Sequence, residues 1–240
     1  MLSGINYNLN TKHQTPNTKL IERMNFRELL DFLQQLQNNN NKEWMDANRK
    51  WYSSLRKEFI HWLDDLDYTM AQLDDAYYPT PGKKGINRIN NNLMFHPNKP
   101  IYKDHFGAGL DKAPQSADFY IEIGVKQCLL AGGFWRPDPK ILRSIRDGID
   151  YNGEEFQAIL DKPKFKKLFG ELYEDEKLKN PPKGFTKDHP HIELLKNKTF
   201  AVVHELDKAE VFSTTFKEKV KEVYLEMLPF RRYLNEAASL

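Results

Sequence analysis

Cysteine is all but missing. Cys128 is the only one among 240 residues, so an intramolecular disulfide and a multi-cysteine metal site are both excluded. It stands in the apolar run "CLLAGGF", where a small buried hydrophobe is the expected role rather than a nucleophile. Long apolar runs are missing as well: nothing in the chain approaches the roughly 18 to 20 residues that span a bilayer. The first twenty residues, "MLSGINYNLNTKHQTPNTKL", lack the apolar h-region of a signal peptide. A cytoplasmic location without a membrane partner is therefore expected.

Charge of one sign is lacking too. The 36 basic and 34 acidic side chains leave a net charge of +2. A sequence-independent nucleic-acid binder draws its affinity from neutralising phosphates and shows a basic excess. Nucleic acid is not the expected partner, and the sequence leaves a protein partner open. There is no G-x-S-x-G elbow, and the glycine-rich pieces "FGAGL" and "AGGFW" match neither a phosphate-binding loop nor a dinucleotide fingerprint. No cofactor is expected.

What is present is an ordinary globule's composition, 40% hydrophobic and 12% aromatic, enough to bury a core without disulfide or metal. Residues 1–22, rich in Asn and Thr, read as an irregular extension; residues 23–240 read as a single α+β domain. Phe26, Leu29, Leu30, Leu33 and Leu36 recur at helical spacing behind Asn25 as N-cap and Glu28 as its capping-box partner. "NNNN" at 38–41 breaks this helix. A second, from about Lys42 to Leu73, carries the stripe Trp44, Ala47, Trp51, Leu55, Phe59, Trp62, Leu66, Met70 and Leu73, which reads as a core face. Together they form a long N-terminal helical hairpin.

An antiparallel sheet covered by helices is expected next. Ile89, Leu93 and Phe95 at alternate positions suggest a half-buried strand over 86–95. "DFYIEIGV" is a clearer strand, with "QCLLAGGFW" as its antiparallel partner. Gly132 and Gly133 mark a bulge or a close backbone approach there. Asp138 and Pro139 open a helix with Ile141, Leu142, Ile145 and Ile149 inward. Shorter helices follow over about 152–161 and 163–169. "NPPKGFTKDHPH" reads as a loop, "IELLKN" as a helical turn and "TFAVVHEL" as a strand. The C-terminal segment reads as a helix kinked at Pro229.

The densest polar stretch outside the helices is "NRINNNLMFHPNKPIYKDHFGAGL", residues 87–110. Arg88, Lys99 and Lys103 place three cations beside Tyr102 and His105, with backbone amides near Gly107. Such a set suits an anionic oxygen, phosphate or carboxylate; a solvated turn paired to Asp104 and Asp111 is the structural alternative. "DHPHIE" offers Asp188, His189, His191 and Glu193, but no zinc spacing and no cysteine partner, and plain capping chemistry accounts for it. No metal is expected. Glu122, beside Tyr120 on the polar face of a strand, is a candidate general base, with an exposed sheet-face glutamate as the plainer alternative.

The landmarks "NNNNKEWMDANRKWY", "RINNNLMFHPNKPIYKDHFGAG", "FYIEIG", "AGGFWRPDP", "LRSIRDGI", "PPKGFTKDHPHIELLK" and "LPFRRYLNEA" occur in this order. With them the chain resembles the bacterial family called domain of unknown function 2461, from about Phe26 to Ala237. The resemblance implies a shared fold and site location and no established activity. The family's motif has Arg-Asp where this chain has Asn91 and Asn92, a third Arg at Met94 and an Asp at Asn98. Arg88, Phe95, Lys99, Tyr102 and Lys103 keep the pattern. What the departures remove is bidentate guanidinium geometry, which neither Asn nor Met supplies.

The expected site is therefore a basic, aromatic pocket formed by Arg88, Lys99, Tyr102, Lys103, His105 and Glu122. Trp135, Arg136 and Lys183 are expected neighbours, with Phe185 as a further wall. Three function classes follow: a binder of a small anionic ligand, an enzyme on that ligand using Tyr102, His105 or Glu122, or a protein–protein module with an exposed patch of Trp51, Tyr52 or Trp62.

Overall fold

A computed structural model describes residues 24–239. The expected irregular extension lies outside these residues. The fold is α+β, as the sequence implies. Helix α1 (Phe26–Asn38) starts where the Asn25 side chain accepts from the Glu28 amide. Glu28 itself reaches Trp51, whose Nε1 donates to it at 3.0 Å. The long second helix is in fact two, α2 (Lys42–Ala47) and α3 (Arg49–Ala71). Asn48 leaves helical geometry (φ −103°, ψ 15°) and its amide donates to the Trp44 carbonyl at 2.9 Å. An amide competing locally for backbone partners interrupts the run. Met45, not Ala47, is the buried residue of α2, and Leu73 is exposed.

After the short α4 (Gly82–Gly85) the expected strand over 86–95 is not formed. Two isolated bridges, Ile86 to Ala108 and Asn90 to Tyr102, hold this stretch as a hairpin-like excursion. Ile89 is buried, but Leu93, Met94 and Phe95 are exposed, the last two at 81% and 71%. Turn chemistry in "NNN" prevails over the apolar alternation.

Four strands follow among the described residues: β1 (His105–Leu110), β2 (Asp118–Gly124), β3 (Cys128–Phe134) and β4 (Phe200–Leu206). They form one antiparallel sheet in the order β1-β2-β3-β4. Between β3 and β4 run α5 (Pro139–Leu160), α6 (Pro163–Phe169) and α7 (Ile192–Leu195). Asp138 caps α5, and Asn152 (φ −142°) kinks it where the sequence suggests a new helix. The Tyr233 hydroxyl lies there, within 3.1 Å of the Gly148 carbonyl and 3.0 Å of the Asn152 carbonyl. After α8 (Lys208–Phe212), α9 (Phe216–Ala238) runs through Pro229 as one helix. The carbonyl freed by the proline belongs to Leu225, at an exposed position where water can serve it.

Period-2 alternation splits the sheet into two different faces. Phe106, Ala108, Leu110, Phe119, Ile121, Ile123, Cys128, Leu130 and Val202 point to the helices and are buried. There Phe59 of α3 meets Phe106 edge-on at 5.5 Å, and Tyr224 of α9 meets Phe119 at 5.3 Å. A Cβ on Gly132 would lie 2.3 Å from Met227 Sδ, so α9 packs directly on β3 there. Trp51, Tyr52 and Trp62 are packed on this core rather than displayed; the Trp62 ring stacks on Phe216 at 5.7 Å. Among the described residues no helix is long and apolar enough to cross a membrane.

Candidate functional site

The second face of the sheet is the candidate site. It presents Gly107 and Gly109 from β1, Asp118, Tyr120 and Glu122 from β2, Leu129, Ala131 and Gly133 from β3, and Ala201, Val203 and Glu205 from β4. Small residues make the middle of this face low. Trp135, Tyr173 and Gln127 rise at its ends, and the result is a cavity of about 520 Å³. A hollow of about 370 Å³ also lies between α1, α8 and α9, but it adjoins Met24, where the described residues begin.

One end of the cavity is a hydrogen-bonded polar set. The Tyr120 hydroxyl donates to Glu122 Oε2 at 2.9 Å, and the Gln127 amide donates to Glu122 Oε1 at 2.8 Å. His105 Nε2 is 3.5 Å from Glu122 Oε2, while its Nδ1 is 3.0 Å from Asp104 Oδ1. Glu122 is only 8% exposed, so the set is fixed by its partners. Burial, with the Glu122 carboxylate beside it, pushes the Tyr120 hydroxyl well above its ordinary pKa, so it acts as a donor at neutral pH. Asp104 is held below the usual carboxylate range: burial opposes this, but His105 and Lys126 outweigh it.

The other end is aromatic. Trp135, 54% exposed, leans on Tyr173 with ring centroids 4.8 Å apart. Asp118 lies at this end on the β1 side, opposite Gly133 in the register. Its pKa is raised, chiefly by burial, with Lys112 and Arg231 pulling the other way.

The sequence-based candidates separate. Glu122 lines the cavity, and His105 stands behind it. Trp135 lines the aromatic end. Arg88, Lys99 and Lys103 share one neighbourhood beside Glu122: burial lowers the Lys103 pKa, and Arg88 and Lys99 add to this while Glu122 opposes it. Lys103 Nζ donates to the Arg88 carbonyl at 2.9 Å. None of these three cations lines the cavity. Tyr102 is 5% exposed within the core cluster, its backbone pinned by Asn40 at 2.9 and 3.0 Å.

Arg136 also lies apart from the polar end. It follows Trp135 with φ +45°, and its guanidinium grips Asp175 through Nε at 2.5 Å and Nη2 at 2.7 Å. It borders a separate hollow of about 190 Å³ with Leu142 and Lys198. Lys183 is exposed on the loop beside α5, where its carbonyl accepts from Arg143 at 2.9 Å. Phe185 faces the Arg143 guanidinium at 5.2 Å. The "PPKGF" loop therefore packs on α5 and is not a neighbour of the cavity.

His189 and His191 serve that same loop. His189 Nδ1 accepts from the His191 amide at 3.0 Å, which leaves Nε2–H to donate to Asp150 at 2.9 Å. Among the described residues no three His, Cys, Asp or Glu side chains gather as a metal site. Cys128 is buried, and burial raises its thiol pKa.

Tyr120, Asp118, Gln127, Tyr173 and Glu205 are the polar and aromatic cavity residues not marked as candidates from the sequence. The signal for two of them was present, since Asp118 and Tyr120 share the alternate positions of β2 with Glu122. Tyr173 and Glu205 reach the cavity only through the β3–β4 pairing.

Residues 28–233 match the family model described as "Conserved hypothetical protein (DUF2461)". The chain belongs to this family. The match runs from α1 into α9 and so takes in every strand of the sheet and the whole lining of the cavity. No curated protein and no solved structure matches this DUF2461 chain.

Proposed function

We propose that this DUF2461 protein binds a small molecule on the uncovered face of its sheet. The observation that carries the reading is the cavity itself: about 520 Å³, walled by Trp135 and Tyr173, floored by Leu129, Ala131 and Val203, and ending in the buried Glu122 carboxylate held by Tyr120 and Gln127. A mostly apolar hollow with a few convergent polar groups is the usual form of a ligand site. The anionic ligand suggested by the sequence would have to sit outside this lining, at Arg88, Lys99 and Lys103. The cavity wall offers acceptors and neutral surface, with no Lys, Arg or His.

A second reading, catalysis on the bound ligand, is favoured by the contiguous Tyr120–Glu122–His105–Asp104 chain, in which a proton-bearing hydroxyl meets a carboxylate backed by an imidazole. In that reading Tyr120 takes the place of Tyr102. Tyr120→Phe then abolishes turnover while leaving ligand affinity within about threefold.

The test of binding is a thermal-shift screen of small metabolites with Trp135 fluorescence as a second readout. A ligand at 100 times its Kd adds about 2.7 kcal/mol, which is a rise of several degrees for a chain of this size. Ala131→Trp fills the floor and should remove the rise. A screen in which no compound shifts the melting or the fluorescence overturns the reading. Attention would then pass to the exposed Leu93, Met94 and Phe95 as a partner surface.

A further inference from the structure

We infer that the ligand of this cavity is a linear aliphatic polyamine. The inference rests on the binding reading above and specifies its chemistry. The three charged side chains in the lining, Asp118, Glu122 and Glu205, are all carboxylates. They are not one cluster. Asp118 and Glu122 stand four residues apart on β2, which at strand rise is about 13 Å. Glu122 and Glu205 flank Leu129 on the same row of the sheet, two strand spacings or about 10 Å apart. The cavity thus has one carboxylate at its aromatic end and two at the other.

Between these ends the surface suits methylenes. Leu129, Ala131, Ala201 and Val203 form an apolar strip with no donor or acceptor side chain. An extended chain laid along it would bury its CH₂ groups and bring an ammonium to each end. At the aromatic end Trp135 and Tyr173 add ring faces, which attract a cation and do nothing for an anion.

Nearby cations leave Asp118 and Glu205 without an ion pair among the described residues, whereas Glu122 has His105 Nε2 at 3.5 Å and two hydrogen bonds. Lys103 donates to the Arg88 carbonyl, and Lys112 lays its stem over Gly109 while acting on Asp118 only through space. His105 stands behind Glu122, outside the lining. Glu205 makes no ion pair or side-chain hydrogen bond among the described residues. A polyamine supplies a charged donor to Asp118 at one end and to Glu205 at the other, and supplies both at once. A monoamine satisfies one end only. A dicarboxylate meets carboxylates at both.

The experiment is a calorimetric titration of the full chain at fixed ionic strength with spermidine, butylamine, 1,8-octanediol and suberate. Trp135 fluorescence is followed in parallel against Trp135→Phe. Spermidine is expected to bind and to change the Trp135 signal, with butylamine at least about tenfold weaker. Glu205→Gln and Asp118→Asn are each expected to weaken spermidine by about tenfold or more. Circular dichroism confirms that each variant is folded. Octanediol or suberate binding as tightly as spermidine, with the same Trp135 response, overturns the polyamine and leaves the cavity as a ligand site. Spermidine binding that neither variant weakens overturns it as well, since the acidic surface would then act without the site. If no compound binds, the polyamine assignment falls; the broader metabolite screen then decides separately whether the cavity binds at all.

Discussion

The Tyr120 hydroxyl lies in the space that a side chain on Gly107 would occupy: a Cβ there would be 2.3 Å from it. Gly107 faces Glu122 across the β1–β2 ladder, so the missing side chain lets the Tyr120 ring reach over and bond that carboxylate. The obstacle is the tip of a side chain, not backbone, and it can swing away. Gly107→Ala should therefore cost about 1–2 kcal/mol in stability and displace Tyr120. Melting of the variant checks this; unchanged stability would contradict the contact between Gly107 and the Tyr120 hydroxyl.

Gly133 is a different case. Its φ is +114°, and a Cβ would meet the Phe200 carbonyl at 2.2 Å on the neighbouring strand. Backbone cannot yield as a ring can. Gly133→Ala is expected to cost about 3 kcal/mol or more, seen as a lowered urea midpoint, and a loss under 1 kcal/mol would contradict the strand contact.

Arg231 of α9 is 1% exposed and binds the Asp111 carboxylate at 2.8 Å and the Ala117 carbonyl at 3.0 and 2.9 Å. Tyr224 and the Tyr78 amide bind the same carboxylate. Arg231→Met leaves that acid buried with its countercharge gone, and should cost about 3–5 kcal/mol. Arg231→Met with Asp111→Asn should cost less than the two single changes added. A double-mutant cycle by chemical denaturation measures the difference.

Asp74 governs part of the acid response. Its burial alone would raise the pKa, but Arg232 at 2.7 Å, the Ala76 amide and the Tyr224 hydroxyl hold it below the ordinary value. A carboxylate depressed in the folded state contributes stability that is complete above its unfolded pKa and lost as pH falls through the folded one. Stability should hold at neutral pH and decline below about 4. Asp74→Asn should lower stability at pH 7 and flatten that decline, as read from urea midpoints at pH 7 and pH 3. An unchanged acid slope would place the effect elsewhere.

Asp118 has the opposite sign. Burial raises its pKa, so its charge opposes folding above the unfolded value and the penalty eases as pH falls through the raised one. Asp118→Asn should stabilise the protein at pH 7 by about 1 kcal/mol, or roughly 2–4 °C, while weakening the ligand. Stability given up for function is the expected trade at a site of this kind. A variant that melts lower would contradict it.

Elements whose signals are local were legible in the amino-acid order. Capping at Asn25 and Asp138, the alternation of β2 and β3, and the helical spacing of α1, α3 and α9 each depend on neighbours a few residues away. That order also placed Glu122 and Tyr120 together on the polar face of a strand, which is where the candidate site lies.

Which polar groups meet depends on strand pairing over long stretches of chain. The basic stretch from Arg88 to Lys103 reads as a site because its charges are adjacent in sequence, yet its side chains stop at the edge of the cavity. Asp118, Trp135, Tyr173 and Glu205 come from segments up to 87 residues apart and share one hollow because β3 and β4 pair across the α5–α7 excursion. Strand β1 was hidden for a related reason. Its glycines carry no hydrophobic signal, and their purpose, room for the Tyr120 ring and a low floor beside it, exists only once β2 lies alongside. Local periodicity reports which way a side chain points. It does not report what stands opposite, and that is fixed by long-range pairing and burial.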